Sequence, residues 1–281
     1  MAVTNPVSFF DLHVNRMTVD DLTGTVAEGI RTDQKWLIAN HNLHSAYLLH
    51  HEARFGSDQK LRSYFKRAKF THVDGMSIVI LGRLFGHEVA PNHRVAYTDW
   101  LPFLMREAVE KSWRVYYLGS APDIVKVGAA KLRARFSGLH LKTHHGYFDP
   151  SSVHENEAVL KDIAAYKPDL LMVGMGMPRQ ERWIEENFDR LSTKVILASG
   201  AALDYVAGAI PTPPRWMGRV GLEWAYRLCS EPRRLGSRYL IEPWYLLLWL
   251  LQDGFNWESK RMKAKSSSLD LLPLELERDQ E

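Results

Sequence analysis

Asp169-Leu-Leu-Met-Val-Gly-Met-Gly-Met-Pro-Arg-Gln-Glu-Arg-Trp-Ile184 is the stretch that decides the fold. Leu170 to Val173 is a short unbroken apolar run, the pattern of a strand buried on both faces. After two glycines and a proline, helical spacing takes over from Glu181 to Leu191. A strand feeding a helix through a glycine turn is half of a βαβ unit, and the same alternation recurs on either side. Trp36 to Ala39, Phe70 to Val73, Val115 to Gly119, Leu139 to Thr143 and Val195 to Ala198 read as strands. His41 to Phe55, Met76 to Leu84, Pro122 to Phe136 and Ala158 to Tyr166 read as helices. This predicts an α/β fold, a Rossmann-like parallel sheet with helices on both faces.

The pattern changes at about Ala209. Pro211, Pro213 and Pro214 mark a boundary, followed by Trp216, Trp224, Trp244, Trp249 and Trp257 interleaved with arginines, and then a polar tail from Lys260. The expected organisation is a core over residues 1–208, an arginine-rich helical appendage over 209–258 and a disordered tail over 259–281.

With 46% hydrophobic and 25% charged residues, the 281-residue chain can bury a large core and is not globally disordered. A formal charge of +3 from 36 basic and 33 acidic residues does not suggest a nucleic-acid binder. A single cysteine, Cys229, fits a reducing compartment, so a cytoplasmic location is expected. The first residues lack the basic and apolar regions of a signal peptide. The best apolar run, Tyr239 to Leu251, is broken by Glu242-Pro243 and is too short to span a bilayer.

In an open parallel sheet, ligands bind beyond the carboxyl ends of the strands. Gly174 and Gly176 lie at such an end, where bare backbone can approach a ligand, and Pro178 suits a first helical turn. Free N–H groups at that turn favour a phosphate or diphosphate, although a simple capped turn has the same sequence. Arg179 stands where a dinucleotide fingerprint needs its third glycine, which weakens a nicotinamide-dependent oxidoreductase reading. Gln180 and Glu181 either hydrogen-bond a hydroxylated ligand or are ordinary first-turn residues.

Asp74 ends the strand Phe70 to Val73 and is either a general base or a helix N-cap. Thr98 and Asp99, after Arg94, either contact a ligand or cap the helix beginning near Trp100. Asn40 and Asn42 end the first strand and pose the same choice. His144 and His145 are adjacent on an extended segment and point opposite ways, so they do not suggest a shared metal. With no H-E-x-x-H and no D-x-D pattern, no metal and no cofactor are expected. The arginine and tryptophan segment could bind single-stranded nucleic acid, dock at a membrane or pack as a lid. Tyr239, Trp244, Tyr245 and Trp249 around a leucine run favour the membrane.

Taken in order, these residues resemble the WecG/TagA/CpsF family of bacterial glycosyltransferases. The matching pieces include Thr71-His-Val-Asp-Gly-Met76, Arg94 with Thr98-Asp99, His144-His-Gly-Tyr-Phe-Asp149, Gly174 to Trp183, Gly200 to Asp204, Gly221 to Leu228 and Glu231 to Leu235. The chain departs from the family pattern at Tyr97, where glycine is usual, at Leu203, where phenylalanine is usual, and at Ile210 to Pro214. The resemblance implies an inverting, metal-independent transfer of a hexose-type sugar from a UDP-sugar to a sugar on a polyprenyl diphosphate. N-acetylmannosamine, its uronic acid and glucose are the sugars it implies, and cell-surface polysaccharide assembly is the setting. It places the base at Asp74 and donor contacts at Gln180 and Glu181, and it draws Arg227, Arg233, Arg234 and Arg238 from the appendage toward the leaving diphosphate. Asp204 falls in a matching segment and is a candidate substrate contact. The implied partners are the two substrates and the inner face of the plasma membrane, and self-association through the appendage is open. A non-catalytic membrane-associated binding protein is the reading outside enzymology.

Overall fold

The computed structural model describes residues 6–32, 34–56, 59–214, 216–217 and 221–252. The expected tail over 259–281, Trp257, Arg215 and Arg219 lie outside the described residues.

A short antiparallel hairpin, β1 (Val7–Phe9) and β2 (Leu12–Val14), opens the described chain. Helix α1 (Val19–Arg31) follows, capped by Thr18, whose hydroxyl accepts from the Asp21 N–H while the Asp21 carboxylate accepts from the Thr18 N–H. The core then alternates: β3 (Trp36–His41), α2 (Leu43–Phe55), α3 (Lys60–Arg67), β4 (Phe70–Val73), α4 (Met76–Leu84) and α5 (Tyr97–Glu110). It continues through β5 (Arg114–Gly119), α6 (Pro122–Arg135), β6 (His140–His144), α7 (Val153–Tyr166), β7 (Leu170–Gly174) and α8 (Arg179–Asn187). Strand β8 (Val195–Ala198) and α9 (Ala202–Ala207) complete the core. Helices α10 (Glu223–Ser230), α11 (Pro232–Leu240) and α12 (242–252) form the appendage.

Six strands form one sheet in the order β4-β3-β8-β7-β5-β6, and every pairing is parallel. Alternate residues of each central strand serve opposite faces. Met172 of β7 and Leu197 of β8 join one core with Trp100, Leu104 and Leu203. Leu171, Val173 and Ile196 join a second with Tyr64, Trp183 and Ile184. Burial on both sides accounts for the unbroken apolar runs, and the expected α/β parallel sheet is the one observed.

A third core cluster joins the hairpin, α2 and α4 to the appendage. Leu246 and Trp249 of α12 are 2% and 4% exposed. The Trp249 ring lies 5.8 Å from that of Tyr47 and 5.7 Å from that of His50. Trp249, expected at a membrane, is therefore a core residue, whereas Trp244 and Leu248 are 65% and 55% exposed. No helix among the described residues is long and apolar enough to cross a membrane.

Candidate active site

Two clusters of functional side chains form along the carboxyl edge of the sheet. The first gathers at the ends of β3 and β4. The Asp74 N–H donates to His41 O at 2.9 Å, fixing the residue to the end of the neighbouring strand. Gly75, not Asp74, is the N-cap of α4, so the Asp74 carboxylate is free of the capping role open to it in sequence. It accepts instead from Asn42 Nδ2 at 3.4 Å.

Asn42 does two things at once. Its Oδ1 caps α2 by accepting from the Ser45 N–H at 3.1 Å, and it accepts from Arg238 Nη2 at 3.3 Å. A structural cap thus also ties the appendage to Asp74. Asn40 lies deeper, with Nδ2 donating to Ala198 O at 2.8 Å, and it holds the ends of β3 and β8 together.

Arg94 reaches the same place through a backbone bridge to Val73, secured by the Val95 N–H donating to Val73 O at 2.7 Å. Its guanidinium bonds Asp99 Oδ2 at 3.2 Å and Glu223 Oε2 at 2.6 Å. Glu223 also pairs with Arg227 one turn along α10, and the Arg227 guanidinium sits over the Tyr205 ring at 5.3 Å. Glu223 is thus the hinge between core and appendage arginines. Its position four residues before Arg227 in an arginine-rich segment was the available signal for it.

Burial raises the Asp74 pKa above the usual carboxylate value. Arg227 opposes this, Glu223 adds to it, and Arg94 and the Asn42 hydrogen bond oppose it. Burial also works against the Arg227 cation, but Tyr205, Glu223, Tyr239 and Asp74 hold its pKa above the usual arginine value. Arg238 is shifted the other way, downward, with burial the main cause. A carboxylate facing guanidiniums at a sheet's carboxyl edge can take a proton while the cations hold an anionic group beside it.

The second cluster lies at the ends of β5, β7 and β8, and much of it faces inward. Gln180 and Glu181 are 2% and 1% exposed. Gln180 Nε2 donates to Glu181 Oε1 at 2.7 Å, and its Oε1 accepts from the Gly200 N–H at 3.2 Å. Tyr117 donates from its hydroxyl to Gly200 O at 3.3 Å. The Gly200 peptide is thereby held at both ends. Ser120 donates to Asp204 Oδ2 at 2.7 Å and lies 3.2 Å from the Tyr117 hydroxyl, so Asp204 belongs to the same brace. Burial pushes the Glu181 carboxyl up to about 7, despite the Gln180 hydrogen bond and the charges of Arg238 and Arg182.

The two glycines of the opening motif differ. A Cβ on Gly174 would stand 2.2 Å from the Tyr117 hydroxyl and 2.5 Å from Gly200 O, so that space is filled by protein and the expected room for a ligand is absent there. Gly176 has φ +79°, and among the described residues nothing lies within 4 Å of where its Cβ would be. Pro178 is the N-cap of α8 rather than its first residue.

One other expected contact falls apart from Asp74. Thr98 lines a separate cavity of about 390 Å³ with Lys131, Arg135 and Thr212. It and Asp99 lie inside the first turn of α5, whose N-cap is Ala96. Arg233 is exposed on α11, and the Arg234 side chain lies outside what is described. A cavity of about 640 Å³ under the hairpin, lined by His13, His41 and His50 among others, does not include Asp74.

The profile of the Glycosyl transferase WecG/TagA/CpsF family matches residues 7–260. Over 170 residues the chain is 29% identical to the N-acetylglucosaminyldiphosphoundecaprenol N-acetyl-beta-D-mannosaminyltransferase of Staphylococcus aureus strain MW2. Proteins of the same name from strains NCTC 8325 / PS 47 and MRSA252 match at 29% over the same length. Each match takes in 60% of this chain and 65% of the relative, so just under two thirds of the relatives' length is spanned. The family match, running from the hairpin through the sheet and the whole described appendage, shows that this chain belongs to the WecG/TagA/CpsF glycosyltransferase family.

Proposed function

We propose that this chain is an inverting glycosyltransferase that moves a hexose-type sugar from a UDP-sugar to a sugar carried on a polyprenyl diphosphate. N-acetylmannosamine is the first donor sugar to test, and N-acetylglucosamine the first acceptor sugar, because the relatives' names specify them. The observation that carries the reading is Asp74, a half-buried carboxylate at a strand end, oriented by Asn42 and within the electrostatic reach of Arg94, Arg227 and Arg238.

In the reaction, the acceptor hydroxyl oxygen attacks the anomeric carbon as the bond from that carbon to the UDP oxygen breaks. Asp74 takes the hydroxyl proton. A single displacement inverts the anomeric centre. UDP leaves with added negative charge, which Arg227 and Arg238 are placed to stabilise, since both lie within the electrostatic reach of Asp74. Gln180, Glu181 and Asp204 act from below, holding the Gly200 turn against which the donor rests. Gly176 leaves its side of the turn open to the nucleotide.

A lipid-linked acceptor brings the enzyme to a membrane, and the appendage has the surface for it. Trp244, Tyr245, Leu248 and Leu251 are exposed on α12, with Leu240 and Ile241 just before it. Docking from the cytoplasmic side follows from the UDP-sugar donor, and the products would feed cell-surface polysaccharide. The test is mass analysis of the product from UDP-N-acetylmannosamine and a prenyl-diphosphate-linked N-acetylglucosamine. A product heavier by one N-acetylhexosamine with β configuration is expected. An unchanged acceptor across a panel of UDP-hexoses, UDP-N-acetylhexosamines and UDP-uronic acids would refute the proposal.

A further inference from the structure

A groove of about 330 Å³ runs between α4 and α12, and its lining is nearly all hydrocarbon. Leu43, Ile80 and Leu81 form one side, Leu246 and Leu247 the other, and Ser77 is the polar residue among them. Its position in the chain joins it to the active site. Leu43 directly follows Asn42, the residue that bonds both Asp74 and Arg238. Ser77 lies in the first turn of the helix that starts after Asp74-Gly75. A Cβ on Gly75 would stand 3.3 Å from Ser77 Oγ and 3.5 Å from Asn42 Cβ, so this lining residue and the partner of Asp74 flank the same glycine, and the groove follows α4, which at about 1.5 Å per residue is roughly 13 Å long.

The far end opens onto the exposed apolar surface. Ile80 is 53% exposed, Leu84 one turn further on is 74% exposed, and Leu247 across the groove is 44% exposed. Its wall is fixed near the site end, where His44 Nδ1 lies 2.8 Å from Glu242 Oε2 and joins α2 to the start of α12. A cationic region near a hydrocarbon trough suits an anionic phosphate or diphosphate joined to a hydrocarbon chain.

We infer that this groove holds the first isoprene units of the polyprenyl acceptor, placing the diphosphate near Arg238 and the terminal sugar at Asp74. The inference rests on the function proposed above and adds the path of the lipid. The rest of the chain then leaves past Leu84 and Leu247 into the bilayer. The site would thus read the lipid directly, beyond the membrane's role in concentrating it.

The test uses two soluble acceptors, N-acetylglucosamine diphosphate esterified to one or to three isoprene units, without detergent or vesicles. For the wild-type chain, kcat/KM is expected to rise at least tenfold from the short to the long acceptor, given the free energy of burying hydrocarbon. Ser77→Trp fills the groove and Ile80→Asn makes its wall polar. Each is expected to bring the ratio of long to short acceptor down to about twofold or less. A wild-type enzyme indifferent to length, or wild-type ratios in both variants, would overturn the groove assignment, even if the variants bound vesicles less well. Absence of transfer to either acceptor would instead sink the proposed function. The groove would then be judged by binding of a fluorescent farnesyl diphosphate: tenfold weakening in both variants supports it, and no binding to the wild type sinks it.

Discussion

Glu181 sits 1% exposed beneath the carboxyl edge of the sheet, with Oε1 bonded to Gln180 and Oε2 buried without a hydrogen-bond partner among the described residues. From sequence, Gln180 and Glu181 read as candidates to touch the donor. Whether a first-turn side chain points out to a ligand or in to the sheet depends on Gly200, in the turn after β8, and no local pattern reveals it. The inward arrangement carries a pH signature. The Glu181 carboxyl is pushed up to about 7 from 4.5, so the folded state binds its proton more tightly than the unfolded chain does. Its contribution to stability is fully present below about pH 4.5 and is lost as pH rises toward about 7, an effect capped at about 3 kcal/mol. Urea midpoints of the wild type should therefore fall between pH 5 and 7.5 relative to Glu181→Gln, which cannot ionise there. Parallel midpoints for the two proteins would show that the carboxyl is not held in this way.

Strands β5 and β7 meet at Gly119 and Gly174, and their close approach sets the floor of the second cluster. A Cβ on Gly119 would stand 2.3 Å from Gly174 O, which is backbone and cannot swing aside. Gly119→Ala is expected to cost about 2 kcal/mol or more in urea unfolding. Gly176→Ala, facing open space but at φ +79°, is expected to cost about 1 kcal/mol. Equal costs at the two positions would contradict the packing described. Strands β3, β5, β7 and β8 were legible because burial on both faces writes an unbroken apolar run into each, whereas the edge strands β4 and β6 carry Thr71, His72, Lys142 and Thr143 within them. The hairpin was not, since β1 and β2 are three residues long and their pairing leaves little periodicity. Helix α7 begins at Val153 rather than Ala158, and the signal was Ser152, whose hydroxyl accepts from the Glu155 N–H. Helix α1 had its own signal, Leu22, Val26 and Ile30 at four-residue spacing.

At the scale of the molecule, core and appendage share one site and one hydrophobic cluster. Arg94 of the core and Arg227 of the appendage meet on Glu223, and Leu246 and Trp249 are packed into the cluster that holds the hairpin and α2. Ending the chain near Pro211 would therefore remove cations from the site and also uncover Leu49 and His50. The family resemblance implied that arginines would arrive from the appendage. It did not show which of its aromatic residues face outward, because Trp244 and Trp249 have the same composition around them and only the position of α2 separates them. Asp74, within the electrostatic reach of these arginines, is the proposed base of a sugar transfer. The most direct test is acceptor-dependent UDP release from UDP-N-acetylmannosamine by the wild type and by Asp74→Asn, at equal donor saturation. Release is expected to require the prenyl-linked acceptor and to fall about 10²- to 10⁴-fold in the variant. Acceptor-dependent release at the wild-type rate from Asp74→Asn would contradict that role.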